Sequence, residues 1–83
     1  MDVLQYPLAT EKAIRMLEAD NVVTFIVDKR SVSRAIKNEF EKRFNSKVKT
    51  IRIIMDTAGR KKAYIKLKPE SPAIDVATKL GIM

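Results

Sequence analysis

Lys62, Tyr64, Lys66 and Lys68 alternate with Ala63, Ile65 and Leu67 in the stretch KKAYIKLK. An extended chain sends these two sets to opposite faces, so one side is apolar and the other groups three ammonium ions round a single ring. Such side chains can neutralise phosphates and release their counterions, and the ring can stack on a base or ribose. Acid-base and nucleophilic chemistry has far less to use. The chain holds no histidine and no cysteine, so the usual base near neutral pH and the soft metal ligands are missing. Glu39 and Glu41 project about 200° apart on a helix. Asp28, Asp56 and Glu70 fall at strand ends, and all these carboxylates are expected to be solvated charges with no paired constellation. Gly59 and Gly81 are the only glycines, which excludes a glycine-rich phosphate loop. The expectation is a protein that is not an enzyme, with no cofactor, no metal and no small-molecule substrate.

The charge is segregated along the chain. Residues 29–68 hold 14 Lys and Arg against Glu39, Glu41 and Asp56, whereas the two flanks together hold 3 basic and 7 acidic residues. Solubility alone does not require this division, and a polyanion facing the middle segment accounts for it. An anionic membrane fits less well, because no helix here combines a basic face with a strong apolar one. No apolar run approaches the roughly 20 residues of a membrane span, and the N-terminus lacks the basic and apolar regions of an export signal. A cytoplasmic location follows as an expectation, consistent with the missing cysteines.

The elements that must position these residues can be read in order. Pro7 marks an extended start, and Thr10 is a suitable N-cap for a helix that carries Ala13, Ile14 and Leu17 on one face and ends near Asp20-Asn21. NVVTFIVD is β-branched and aromatic, hence a strand with Val23, Phe25 and Val27 on one side and Val22, Thr24 and Ile26 on the other. A helix follows with Ser31 as cap and Val32, Ile36, Phe40 and Phe44 as its buried stripe, beside an exposed line of Arg30, Arg34, Lys37 and Glu41. KVKTIRIIM is a third strand. DTAGR turns the chain into its antiparallel partner, Lys61 to Lys68, and a last helix runs from Ala73 to Leu80, stopped by Gly81. The fold class is α+β, a small two-layer sandwich in which helices pack on one face of a three- to four-stranded, mostly antiparallel sheet. All 83 residues are read as one domain.

Helices over Val23, Phe25, Val27, Ile51, Ile53, Ala63, Ile65 and Leu67 would leave Thr24, Thr50, Arg52, Lys62, Tyr64, Lys66 and Lys68 on an open face. An open basic sheet suggests RNA. The commonest small RNA-binding sheet stacks bases on aromatic residues of two central strands, and that signature is absent, so phosphate neutralisation should dominate and RNA shape should matter more than base identity. The candidate RNA contacts are Arg30, Arg34 and Lys37 on the helix, and Arg52, Arg60, Lys61, Lys62, Tyr64, Lys66 and Lys68 on the sheet. No helix-turn-helix, zinc or basic-zipper pattern speaks for DNA. The alternative is a protein-docking module that recruits partners through the acidic side of its first helix, Glu11 and Glu18, without a principal RNA role.

Three stretches, PLATEKAIRMLEADNVVTFIVD, AIKNEFEKRFNSKVKTIRI and KKAYIKLKPESPAIDV, together resemble the universal twenty-third family of large-subunit ribosomal proteins in its archaeal form. The basic pair followed by a small, an aromatic, a β-branched and a basic residue is matched from Lys61, and Thr10-Glu11-Lys12 stands where the family has its Ser/Thr-Glu-Lys triplet. The resemblance implies a protein that binds 23S rRNA beside the polypeptide exit tunnel, next to the large-subunit protein of the twenty-ninth family. It also implies an exposed rim that docks the signal recognition particle and other nascent-chain factors. Bacterial members offer the triplet glutamate to a ribosome-bound chaperone that archaea lack, so for Glu11 the resemblance implies the location of a docking site. Asp56 to Arg60 stands where bacterial members carry a long tunnel loop, and the long basic N-terminal extension of eukaryotic members is not seen, which makes the archaeal form the expectation.

Overall fold

The computed structural model describes residues 3–82. Its elements are β1 (Leu4–Pro7), α1 (Glu11–Asp20), β2 (Val22–Val27), α2 (Ser33–Phe44), β3 (Val48–Met55), β4 (Lys61–Leu67) and α3 (Ala73–Leu80), in the order expected from the sequence. The strands form one sheet, β1-β2-β4-β3, in which every neighbouring pair is antiparallel. The architecture is α+β.

α1 starts where Thr10 Oγ1 accepts the Ala13 N–H at 3.2 Å, satisfying one of the orphan donors of the first turn. It ends at Asn21, whose backbone is left-handed at φ 58°. The Asn21 side chain ties three elements together. Its Nδ2 donates to the carbonyls of Leu67, Lys68 and Ser71 at 3.2, 3.3 and 3.1 Å, and its Oδ1 accepts the Ala73 N–H at 2.6 Å. The end of α1, the end of β4 and the start of α3 therefore share one residue.

α2 differs from expectation at its start. The N-cap position is Val32, not Ser31, and no side chain caps the helix. Asp28 is the cause: its Oδ1 accepts the Arg30 N–H at 2.8 Å and its carbonyl accepts the Ser31 N–H at 3.0 Å, so a turn holds residues 28–31 and helical geometry begins only afterwards. Val32, outside the helical phase, is 62% exposed and does not belong to the buried stripe. Ile36, Phe40 and Phe44 do, as expected.

Those three side chains pack with Ala73, Val76 and Ala77 of α3 onto Val23, Phe25, Val27, Ala63, Ile65 and Leu67. Phe25 meets Phe40 edge to face at 6.0 Å, and Phe40 lies 4.8 Å from Phe44, within the range of favourable aromatic pairs. The opposite face is not bare along β2. All six residues of that strand are buried, and Thr24, expected on the open face, is 3% exposed. β1 is only four residues long, and after Leu8 donates its N–H to the Thr24 carbonyl at 2.9 Å the chain leaves the sheet. α1 takes the vacated place beside β2. Its Leu17 joins the main core, while Ala13 and Met16 line a cleft with Thr24 and Tyr64 on the other face.

Candidate nucleic-acid interface

Strand register fixes the composition of the second face. Tyr6, Ile26, Lys62 and Ile54 form one cross-strand row, Thr24, Tyr64 and Arg52 the next, and Val22, Lys66 and Thr50 the third. Tyr64 thus stands between Thr24 and Arg52, with Lys62 and Lys66 before and after it on its own strand. Arg52 and Lys66 are exposed, whereas Lys62 and Tyr64 are half-buried where α1 approaches.

β3 is an edge strand, and its pairing with β4 slips between Val48 and Thr50. An irregularity of this kind re-aims the extra residue, here Lys49. Lys49 lines two clefts at once. One, of about 170 Å³, also holds Arg34 and Lys37 of α2 and Thr50. The other, of about 280 Å³, holds Lys66 of β4 with Asp20 and Asn21. A third cleft, of about 370 Å³, is lined by Lys37, Glu41, Lys47 and Lys68. The helix cations and the sheet cations thus meet round the start of β3 and form one surface. Glu41 was expected on the solvated helix line, but it is half-buried and accepts the Val48 N–H at 2.9 Å, pinning β3 to α2.

Other candidates lie apart. Arg30 borders a separate cleft of about 270 Å³ with Val3, Asp28, Ser31, Val32 and Ala35. Lys61 turns its ammonium to the Ser31 and Lys29 carbonyls at 2.6 and 3.3 Å. Arg60 donates through Nε to Asp56 at 2.9 Å and through a terminal nitrogen to the Tyr6 hydroxyl at 3.2 Å. Asp56, read as a solvated charge, instead organises the β3–β4 turn by accepting the Ala58 and Arg60 N–H groups at 3.0 and 2.8 Å. The Arg60 backbone N–H is the main reason its carboxyl is held below the usual 3.8. Asp28 is likewise buried and bonded, not solvated. Glu11 and Glu18 lie exposed on α1, and Glu11 pairs with Arg15 at 3.0 Å.

Sequence reasoning missed Lys47 and Lys49. Alternation about Val48 marks both as outward-facing, but only the slip in register shows that Lys49 joins two surfaces.

Fold and surface define a class: a small basic α+β protein whose cations lie open along a strand edge. The family model for ribosomal protein L23 matches residues 2–75, and the chain belongs to that family. It is a structural protein of the large ribosomal subunit and not an enzyme.

Proposed function

We propose that this protein is the archaeal form of its family and binds 23S rRNA beside the polypeptide exit tunnel, with residues 1–83 acting as one RNA-binding domain in the cytoplasm. The observation that carries the reading is the convergence of Arg34, Lys37, Lys47, Lys49, Lys66 and Lys68 on neighbouring clefts round the β3 edge. Cations so placed neutralise phosphates on two adjoining strands of folded RNA without reading bases. Arg52 and Tyr64 extend the surface across the sheet, and Tyr64 offers a half-exposed ring to stack on a base or ribose. Lys62 adjoins it on β4, and Arg30, Arg60 and Lys61 are further RNA contacts apart from it, Arg60 and Lys61 with part of their donors already engaged within the protein.

The same reading places the large-subunit protein of the twenty-ninth family alongside. It gives Glu11 and Glu18 the role of an acidic docking surface for the signal recognition particle and other nascent-chain factors. Both carboxylates lie exposed on α1, while Lys49 lies on β3. The test is sedimentation of ribosomes from cells carrying a tagged copy. The protein is expected to stay with large subunits through a high-salt wash that strips peripheral factors, and its release with those factors would contradict the proposal.

A further inference from the structure

Where the first turn of α1 approaches β2 and β4 there is a small cleft, of about 30 Å³. Thr24 contributes to its wall from a position 97% buried, and Thr24 Oγ1 is, among the described residues, the buried side-chain polar atom without a hydrogen-bond partner. A hydroxyl desolvated and unpaired in this way is costly to the fold, and native proteins keep few of them. Two cations border the same cleft from different elements, Lys12 from α1 and Lys62 from β4, with the half-buried Tyr64 between β4 and the helix. Neither lysine belongs to an ion pair among the described residues. Glu11, the acid next to Lys12, is already held by Arg15 at 3.0 Å.

The geometry points to a binding site for one RNA phosphodiester, held between the Lys12 and Lys62 ammonium groups with the Thr24 hydroxyl beneath it; this inference rests on the rRNA-binding reading above. A cavity of this size admits one water or one oxygen of a larger group and is too small for a base, so the occupant is a backbone phosphate and not a flipped nucleotide. One phosphate oxygen, directly or through a single water, gives Thr24 Oγ1 the partner it lacks. The other oxygens face two ammonium groups, each a point charge able to reorient its donors. The site lies over the two central strands, β2 and β4, whereas Lys49 lies on the edge strand β3. Bound RNA would then be gripped at the β3 edge and again over the middle of the sheet.

The experiment measures binding of a large-subunit rRNA fragment at several salt concentrations by the wild type, Lys12→Gln, Lys62→Gln, their double variant, Thr24→Val and, as a reference, Lys49→Gln alone and combined with Lys12→Gln. Lys12→Gln and Lys62→Gln are each expected to weaken binding by roughly three- to tenfold. The double variant is expected to lose clearly less than the product of the two, because both lysines serve one phosphate, while Lys12→Gln and Lys49→Gln combine additively. Thr24→Val removes the unpaired hydroxyl without changing shape. It is expected to melt at or above the wild-type temperature yet bind roughly threefold more weakly. Wild-type affinity in Thr24→Val, the result if the cavity holds a structural water only, overturns the proposal. So do lysine variants that are neutral or strictly additive. If Lys49→Gln still binds weakly in those cases, the phosphate site falls and the rRNA reading stands; if Lys49→Gln also binds like wild type, the rRNA reading falls with it.

Discussion

On the face of the sheet covered by α2 and α3, Phe25, Phe40 and Phe44 lie within 6.1 Å of one another in a cluster of buried apolar side chains. On the other face, Thr24, Tyr64 and Arg52 stand in one row, graded from buried to exposed as distance from α1 grows. The first face is held by many apolar contacts, and their burial sets the register. The second depends on register itself: a slip of one residue would send Lys62, Tyr64 and Lys66 into the core and Ala63 and Ile65 to solvent. The apolar face therefore fixes the functional face. Substitutions in the first should change stability, and substitutions in the second should change binding.

The largest effect is expected from Phe40→Ala, which empties the centre of the aromatic cluster and should cost roughly 3–5 kcal/mol, most of the stability of a domain this small. Urea unfolding checks it, and a loss below about 1 kcal/mol would break the comparison at its apolar side. Asn21→Ala comes next. It forfeits a left-handed cap and leaves the Ala73 N–H and the Leu67 and Ser71 carbonyls to find other partners, at a cost of about 1–3 kcal/mol. Asn21→Gly keeps the backbone geometry but not the bonds, so it should recover only part of that loss in the same unfolding assay.

A smaller effect concerns the hairpin end, where the two faces meet. The Asp56 carboxyl is depressed below 3.8, chiefly by the Arg60 N–H, so its stabilisation of the turn is present above that value and is lost as pH falls through the lowered one. The Ala58 and Arg60 amide resonances are expected to titrate together with a midpoint below 3.8, and a midpoint at or above it would show that the turn does not hold the carboxylate. The smallest effect is Glu11→Lys. The Glu11–Arg15 pair is 77–87% exposed and worth only about 0.3–0.5 kcal/mol, so folding should be nearly unchanged. Affinity of ribosomes for the signal recognition particle is what should drop, and an unchanged value would remove Glu11 from the docking surface.

Much of the fold was legible because periodicity is carried by neighbouring residues. The element order, the Ile36-Phe40-Phe44 stripe, the Thr10 cap and the Gly81 stop each rest on a few adjacent side chains. What the sequence hid depends on residues far apart in the chain. Val32 is exposed because Asp28 holds a turn before it, and Thr24 is buried because β1 stops early and α1 moves in. Asn21 is a junction only once β4 and α3 are in place. The candidate interface was half legible for the same reason: alternation marks Lys62, Lys66 and Arg52 as sharing a face, while the link to Arg34 and Lys37 runs through the register slip at Lys49.

The central claim, that one rRNA-binding surface turns round the β3 edge, is tested most directly by the salt dependence of binding to a large-subunit rRNA fragment. Arg34→Gln, Lys49→Gln and Lys66→Gln should each weaken binding about uniformly across base variants and lower the magnitude of the log K versus log salt slope by roughly 0.7–0.9, with no change in unfolding free energy. A Lys49→Gln protein with wild-type affinity and slope, beside an Arg34→Gln protein that loses both, would contradict the account by separating helix from sheet.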